Sequence, residues 1–164
     1  MTDLKSNLPL GEEEMRQAIE LLYFAYRGFT AEPDAILAEM GMGRAHHRVI
    51  YFVGRNPGGT VSALLAILRI TKQSLARVLS QLVSDGYVLQ TPGPKDRRQR
   101  LLTLTAKGIA LEEQLTARQS RLLARAFADT GSDGIGDFRR ILTELVAERD
   151  RRHILGASGH NTER

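Results

Sequence analysis

Apolar positions recur at helical spacing along most of this chain, and two short runs near the middle suit strands instead. From Glu12, the residues Met15, Ile19, Leu22, Tyr26 and Phe29 line one side of a helix, and the first-turn acids Glu12, Glu13 and Glu14 suit its dipole. Pro33-Asp34 reads as a fresh helix start, so Ala31 to Gly43 is expected to be a connector with one short helix around Ile36, Leu37 and Met40. Gly41-Met42-Gly43 should break it. Arg44 to Gly54 makes the next helix, burying Val49, Ile50, Phe52 and Val53, and Asn56-Pro57-Gly58-Gly59 makes a turn.

Thr60 then caps a helix with Leu64, Leu65 and Leu68 on one side, Arg69-Ile70 is a short connection, and Thr71 caps another. In that second helix Leu75, Val78, Leu79 and Leu82 form the buried stripe, while Gln73, Arg77, Ser80 and Ser84 lie opposite and Ser74, Ala76 and Gln81 flank them. Gly86 ends it. Tyr87 to Thr91 and Leu101 to Thr105 are β-compatible and flank a turn-rich loop, Pro92 to Arg100, that carries Lys95, Arg97, Arg98 and Arg100 against Asp96. From Thr105 a long helix should run to about Asp129, with Ile109, Leu115, Leu122 and Phe127 as its apolar positions and Gly131 as its stop. Gly131-Ser132-Asp133-Gly134 links it to a last helix carrying Ile135, Phe138, Ile141, Leu142, Leu145 and Val146.

Two capped helices, a tight connection, a hairpin and a basic loop make a winged helix-turn-helix. Gln, Ser and Arg standing outward on a helix can hydrogen-bond base edges in the major groove, although an ordinary solvated face has the same composition. The basic loop directly after the helices favours the nucleic-acid reading, because a wing can reach phosphates or the minor groove, where arginine is favoured.

These residues resemble the MarR family of bacterial transcriptional regulators. That family's wing signature runs Asp, any, Arg, three of any, Leu, any, Leu-Thr, two of any, Gly, and the chain supplies Asp96, Arg98, Leu102, Leu104, Thr105 and Gly108 at that spacing. The likeness extends through Arg44 to Ile50, Asn56 to Val61 and Thr71 to Arg77, and covers roughly residues 12 to 150. Ala63 stands where the family often has Glu, removing a capping box, and Ala76 stands where it often has Thr.

The resemblance implies a mainly α (α+β) protein, a winged helix-turn-helix with a helical dimerisation lobe made from both termini. Its expected divisions are a flexible arm at 1–11, a dimerisation helix and connector at 12–43, a DNA-binding lobe at 44–108, dimerisation helices at 109–155 and a disordered tail at 156–164. Thr71, Lys72, Gln73, Ser74, Ala76, Arg77, Lys95, Arg97, Arg98 and Arg100 are the expected contacts to double-stranded DNA, with Asp96 organising the wing and Arg98 entering a narrow minor groove. The resemblance further implies a homodimer, and a small aromatic or anionic effector between the lobes that relieves repression. Tyr23, Tyr26, Arg27, His46 and Tyr51 are the residues expected around it.

Composition narrows the alternatives. The formal charge of +4 suits a nucleic-acid partner but also suits many other proteins. The longest apolar runs, Leu21 to Tyr26 and Ala63 to Leu68, are six residues each, too short for a membrane span, so a cytoplasmic protein is expected. With no cysteine there is no disulfide and no thiol switch. His46 and His47 are adjacent and point about 100° apart on a helix, so they do not suit one metal ion, and no cofactor is expected. A protein-binding winged helix would want apolar anchors where Gln73, Ala76, Arg77 and Ser80 stand, and an enzyme would want a polar constellation that the motifs do not supply.

Overall fold

Nine elements make up the computed structural model, which describes residues 10–155. They are α1 (Glu12–Glu39), α2 (Arg44–Arg55), β1 (Gly59–Thr60), α3 (Val61–Leu68), α4 (Lys72–Ser84), β2 (Val88–Pro92), β3 (Arg100–Leu104), α5 (Ala106–Leu145) and α6 (Glu148–Leu155). The expected tail at 156–164 and all of the expected arm except Leu10 and Gly11 lie outside the described residues.

Helix α2 is the centre of the molecule, touching α1, α3, α4, α5 and β3. Its Val49, Ile50 and Val53 are buried with Leu37 of α1, Leu75, Val78, Leu79 and Leu82 of α4, Val88 and Leu102 of the sheet, and Leu111 and Leu115 of α5. The stripe expected on α4 is therefore buried in full. The sheet is antiparallel in the order β1-β3-β2, with Val88 opposite Leu104 and Pro92 opposite Arg100. Gly59 and Thr60, expected to be the end of a turn and a helix cap, also pair with Leu102 and Leu101 as a third strand. Two residues are too few to show a strand's alternation in sequence.

The expected connector over Ala31 to Gly43 is corrected: α1 runs unbroken to Glu39, with Pro33 buried inside it. Proline has no N–H for the carbonyl four residues back, here that of Phe29, and a helix interior normally suffers for it. That carbonyl is supplied from outside the helix, because Gln119 of α5 donates its Nε2 to Phe29 O at 3.3 Å. Tertiary contact thus carries the helix through a local stop signal. Glu14 accepts the Gly11 N–H at 2.9 Å and sets the helix start where the acids place it.

Helix α5 also departs from expectation. Its buried face is Gly108, Leu111 and Leu115, whereas Ile109 and Leu122, expected to be apolar contacts, are exposed. The expected break falls at Gly131, which adopts φ 72 and ψ −177 inside a segment otherwise helical to Leu145, so the four-residue linker shrinks to one kinked residue. Only glycine readily takes that conformation. Across the kink Phe127 and Phe138 meet edge to face, with ring centroids 5.2 Å apart. Helix α6 was not expected as a separate element. Arg151 fixes the corner before it by donating Nε to Val146 O at 3.1 Å.

Gln119→Leu is expected to cost about 1 kcal/mol by stranding the Phe29 carbonyl. In a Pro33→Ala background that cost should shrink, because the new N–H can serve the same carbonyl. Urea unfolding of the two single variants and the double variant measures the coupling. Equal costs in both backgrounds would show that Gln119 does not compensate for the proline.

Candidate nucleic-acid interface

Thr71 starts α4 by accepting the Ser74 N–H at 3.1 Å, and its hydroxyl donates to Ser74 Oγ at 2.8 Å. Because Leu75, Val78, Leu79 and Leu82 anchor the inner side, Lys72, Gln73, Ala76, Arg77 and Ser80 are all left exposed on the outer side. Ser74 is half-buried beside its cap. The helix is pinned to α2 by His46: its Nδ1 accepts the Gly43 N–H at 3.1 Å, which puts the ring proton on Nε2, where it is donated to Gln81 Oε1 at 2.7 Å.

The wing projects from β2 and β3, and its tip is closed by Gly93 N to Gln99 O at 2.9 Å and Gln99 N to Asp96 O at 3.1 Å. A Cβ at Gly93 would lie 2.6 Å from Asp96 O, so the turn requires glycine there. Asp96 accepts the backbone N–H of Arg98 at 2.9 Å and so holds the turn rather than the guanidinium. Lys95, Arg97, Arg98 and Arg100 are exposed, and none of them, nor Lys72 or Arg77, takes part in an ion pair among the described residues. Arg100 stands at the first position of β3 rather than in the loop.

At the root of the wing, Thr105 caps α5 by accepting the Gly108 N–H at 3.1 Å while donating to Gly86 O at 2.6 Å. Its own N–H donates to Tyr87 O at 3.1 Å. A Cβ on Gly108 would fall 2.1 Å from that same Tyr87 oxygen, so the contact excludes every other residue. Lys107 adds a bond from Nζ to Asp85 O at 2.7 Å and lies 4.2 Å from the Tyr87 ring centroid. The sequence carries no signal for this contact, because a single lysine beside a helix start makes no pattern.

A cavity of about 350 Å³ opens between α1, α2 and α5, lined by Tyr26, Phe29, Arg44, His47, Arg48 and Tyr51 among others. Tyr26 and Tyr51 were expected there. Tyr23, Arg27 and His46 do not line it: Arg27 sits over the Tyr23 and Phe24 rings, 5.9 and 5.6 Å from their centroids, and His46 faces Gln81. Arg44, His47, Arg48 and Tyr51, missed except for the last, recur at helical spacing on one face of α2, and that periodicity was the available signal. Arg44 donates Nε to Asp34 Oδ2 at 2.9 Å and lies 5.6 Å from the Tyr26 centroid, and Arg48 donates to the Tyr26 hydroxyl at 3.2 Å. The bond to Asp34, then its charge, raises the Arg44 pKa. Burial pushes the His47 imidazolium below its ordinary value; Asp34 and Glu112 oppose the shift, and Arg48 adds to it.

Residues 40–99 match the family model described as MarR family. The chain is 45% identical over 144 residues to the HTH-type transcriptional regulator PetP of Rhodobacter capsulatus, covering 88% of this chain and 87% of that one. Among solved structures, Streptococcus pneumoniae FabT in complex with DNA superposes with a TM-score of 0.71 at 19% identity, over 80% of this chain and 94% of that one. A mutant E. coli MarR complexed with operator DNA gives 0.62 at 22% identity, over 82% and 96%.

His47 is expected to titrate below about 6.5, the value of an unperturbed histidine. Since the unfolded chain then takes up the proton first, stability should fall as pH drops below about 6.5 and level off beneath the folded midpoint. His47→Gln should flatten that part of the decline. Ring-proton NMR gives the midpoint and thermal melts between pH 5 and 8 give the slope; a midpoint at or above the ordinary value would contradict the burial argument.

Proposed function

Because the chain belongs to the MarR family and is one of its transcriptional regulators, we propose that it binds a pseudo-palindromic operator in double-stranded DNA as a homodimer and represses until a small ligand releases it. The carrying observation is the exposed outer side of α4 followed by a wing whose cations have no ion-pair partner among the described residues. In this reading Thr71, Lys72, Gln73, Ser74, Ala76 and Arg77 enter the major groove, and Lys95, Arg97, Arg98 and Arg100 reach phosphates or the minor groove. The DNA complexes of the two solved relatives support the same partner.

The dimer reading rests on uncovered apolar surface. On α1, Ile19, Leu21, Leu22, Tyr23, Phe24 and Tyr26 are exposed, Leu21 by 70%, and on the distal part of α5 so are Phe138, Ile141 and Leu145, the last by 64%. A single chain therefore does not cover both terminal helices, and patches of this kind mark interfaces. A second copy supplies a matching surface by two-fold symmetry, the commonest arrangement. The divisions at 12–43, 44–108 and 109–155 follow as dimer, DNA and dimer segments, although α2 belongs to both lobes by its contacts.

Arg44, His47 and Arg48 beside Tyr26 and Tyr51 suit a small aromatic anion. The path from that cavity to α4 is short: its wall is α2, and α2 holds α4 through His46 and Gln81. An occupant that moved α2 would move the recognition helix with it. No helix in the described residues is long and apolar enough to cross a membrane, and a cytoplasmic location fits a regulator of this kind.

Replacing Leu142 and Leu145 together by Asp is expected to give monomers and to weaken operator binding in step; light scattering showing an unchanged mass would remove the dimer assignment. Arg77→Ala should cost operator binding about 1 to 3 kcal/mol for a lost bidentate base contact, and less on random duplex. Lys95→Ala with Arg97→Ala should instead weaken both DNAs. If all the cations lost per dimer were phosphate contacts, the salt slope should shrink by roughly 3 to 4 units. Gel shifts across salt on both duplexes test this, and equal losses with equal slopes would overturn the division between α4 and the wing.

A further inference from the structure

A second cavity, of about 370 Å³, adjoins the first at Phe52 of α2, which lines both. It is a partly open cleft lined by the C-terminal part of α2, by β1, α3 and β3, and by α6. Its wall is largely hydrocarbon, from Phe52, Val53, Leu64, Ile67 and Leu102, and the size falls in the range of ligand pockets, ~300–1,000 Å³. Its polar groups are few. Asn56 Nδ2 is committed to Phe52 O at 2.9 Å and Thr60 Oγ1 to the Ala63 N–H at 3.1 Å. His153 of α6 also lines the cavity, and its Nε2 is shielded from solvent without a hydrogen-bond partner among the described residues. Buried polar atoms in folded proteins are nearly always paired, so an orphan in a cavity wall points to something that pairs with it there.

Helix α6, which carries that nitrogen, is tied to the rest of the chain at two points. Asp150 of α6 pairs with Arg69 Nη2 at 3.3 Å, tying the helix to the connection between α3 and α4, and Arg151 clamps the preceding corner. Arg69 is thereby occupied, and among the described residues no lysine, arginine, aspartate or glutamate lines the cavity. A charged ligand would lose its hydration there without gaining a counter-ion. A hydroxyl, by contrast, both donates and accepts, and so satisfies Nε2 in either tautomer of a neutral imidazole.

We propose that this cavity binds a small uncharged aromatic alcohol, with its ring against Phe52, Leu64 and Ile67 and its hydroxyl on His153 Nε2. The site shares only Phe52 with the cation-lined cavity and does not rest on the DNA-binding reading. Since its walls are β1, α3 and β3, occupancy couples α6 to the lobe that carries α4, and any effect of the ligand on α4 must be matched by an effect of α4 on the ligand.

The test uses 2-naphthol, whose fluorescence reports hydrogen bonding of its hydroxyl and is readily followed because the chain has no tryptophan. Full-length protein should bind it saturably, and bind 2-naphthoate at this site at least tenfold more weakly. His153→Ala should weaken 2-naphthol binding roughly three- to tenfold, as expected for one hydrogen bond. Ala66→Phe, a change at an exposed α3 position that fills the cavity, should abolish binding. Tyr26→Leu, in the other cavity only, should leave it intact, and thermal melts report the folding of each variant. Absence of saturable binding to the native protein, including through cover by a second subunit, overturns the proposal. So does binding that survives both His153→Ala and Ala66→Phe, or that is lost with Tyr26→Leu. Equal affinity for 2-naphthoate overturns the uncharged class.

Discussion

The close approach of Gly108 to the Tyr87 carbonyl is the constraint on which the arrangement of the wing, α4 and α5 depends. A Cβ there would sit 2.1 Å from the oxygen, so glycine alone lets the first turn of α5 lie against the end of the α4 corner. Thr105 uses the same approach twice, capping α5 with its oxygen and bonding Gly86 with its hydroxyl proton. The signature residues around it divide the remaining work: Leu102 is buried in the core, Leu104 packs beside it, and Asp96 holds the wing turn through the Arg98 N–H. Most of that signature therefore describes how a wing is attached to a long helix. Only Arg98 is left with its side chain unaccounted for by the fold.

Helix α2 turns that local fixture into a whole molecule. Its buried stripe holds the core together, and the two histidines that stand side by side in the sequence fall on different flanks of the stripe. His46 faces α4 and closes a bond to Gln81; His47 faces the cation-lined cavity, where burial favours its neutral form. Two adjacent residues with the same chemistry thus serve opposite neighbours, for the reason that makes them a poor metal pair: successive helical positions are rotated by about 100°.

The central lobe was legible in the sequence because its signals are local. Thr60 and Thr71 cap where their spacing from an apolar stripe said they would, and the α4 stripe is buried in full. What failed was governed by distant residues. Pro33 reads as a helix start, and nothing nearby reveals that Gln119, far along the chain, would serve the carbonyl it strands. Ile109 and Leu122 are as apolar as Leu111 and Leu115, and only the position of α1 and α2 decides which pair is buried. Tyr26 and Tyr51 line the cavity while Tyr23, Arg27 and His46 do not, because helical phase rather than aromatic or basic type decides which side chains face it.

Charge follows the same division between frame and reading surface. Residues 71–100 hold six cations, Lys72, Arg77, Lys95, Arg97, Arg98 and Arg100, against two anions, Asp85 and Asp96, a surplus equal to the formal +4 of the entire chain. Elsewhere the signs balance, and the ion pairs are found there, from Arg16 with Glu12 and Arg118 with Glu32 to Arg140 with Asp137 and Arg151 with Glu144. Exposed pairs of this kind contribute little to stability, so their placement is not explained by folding energy. Cations left unpaired on a surface repel one another and gain nothing in the isolated protein. Their concentration on α4 and the wing is intelligible as a field for a polyanion, whose counterions they would release on binding.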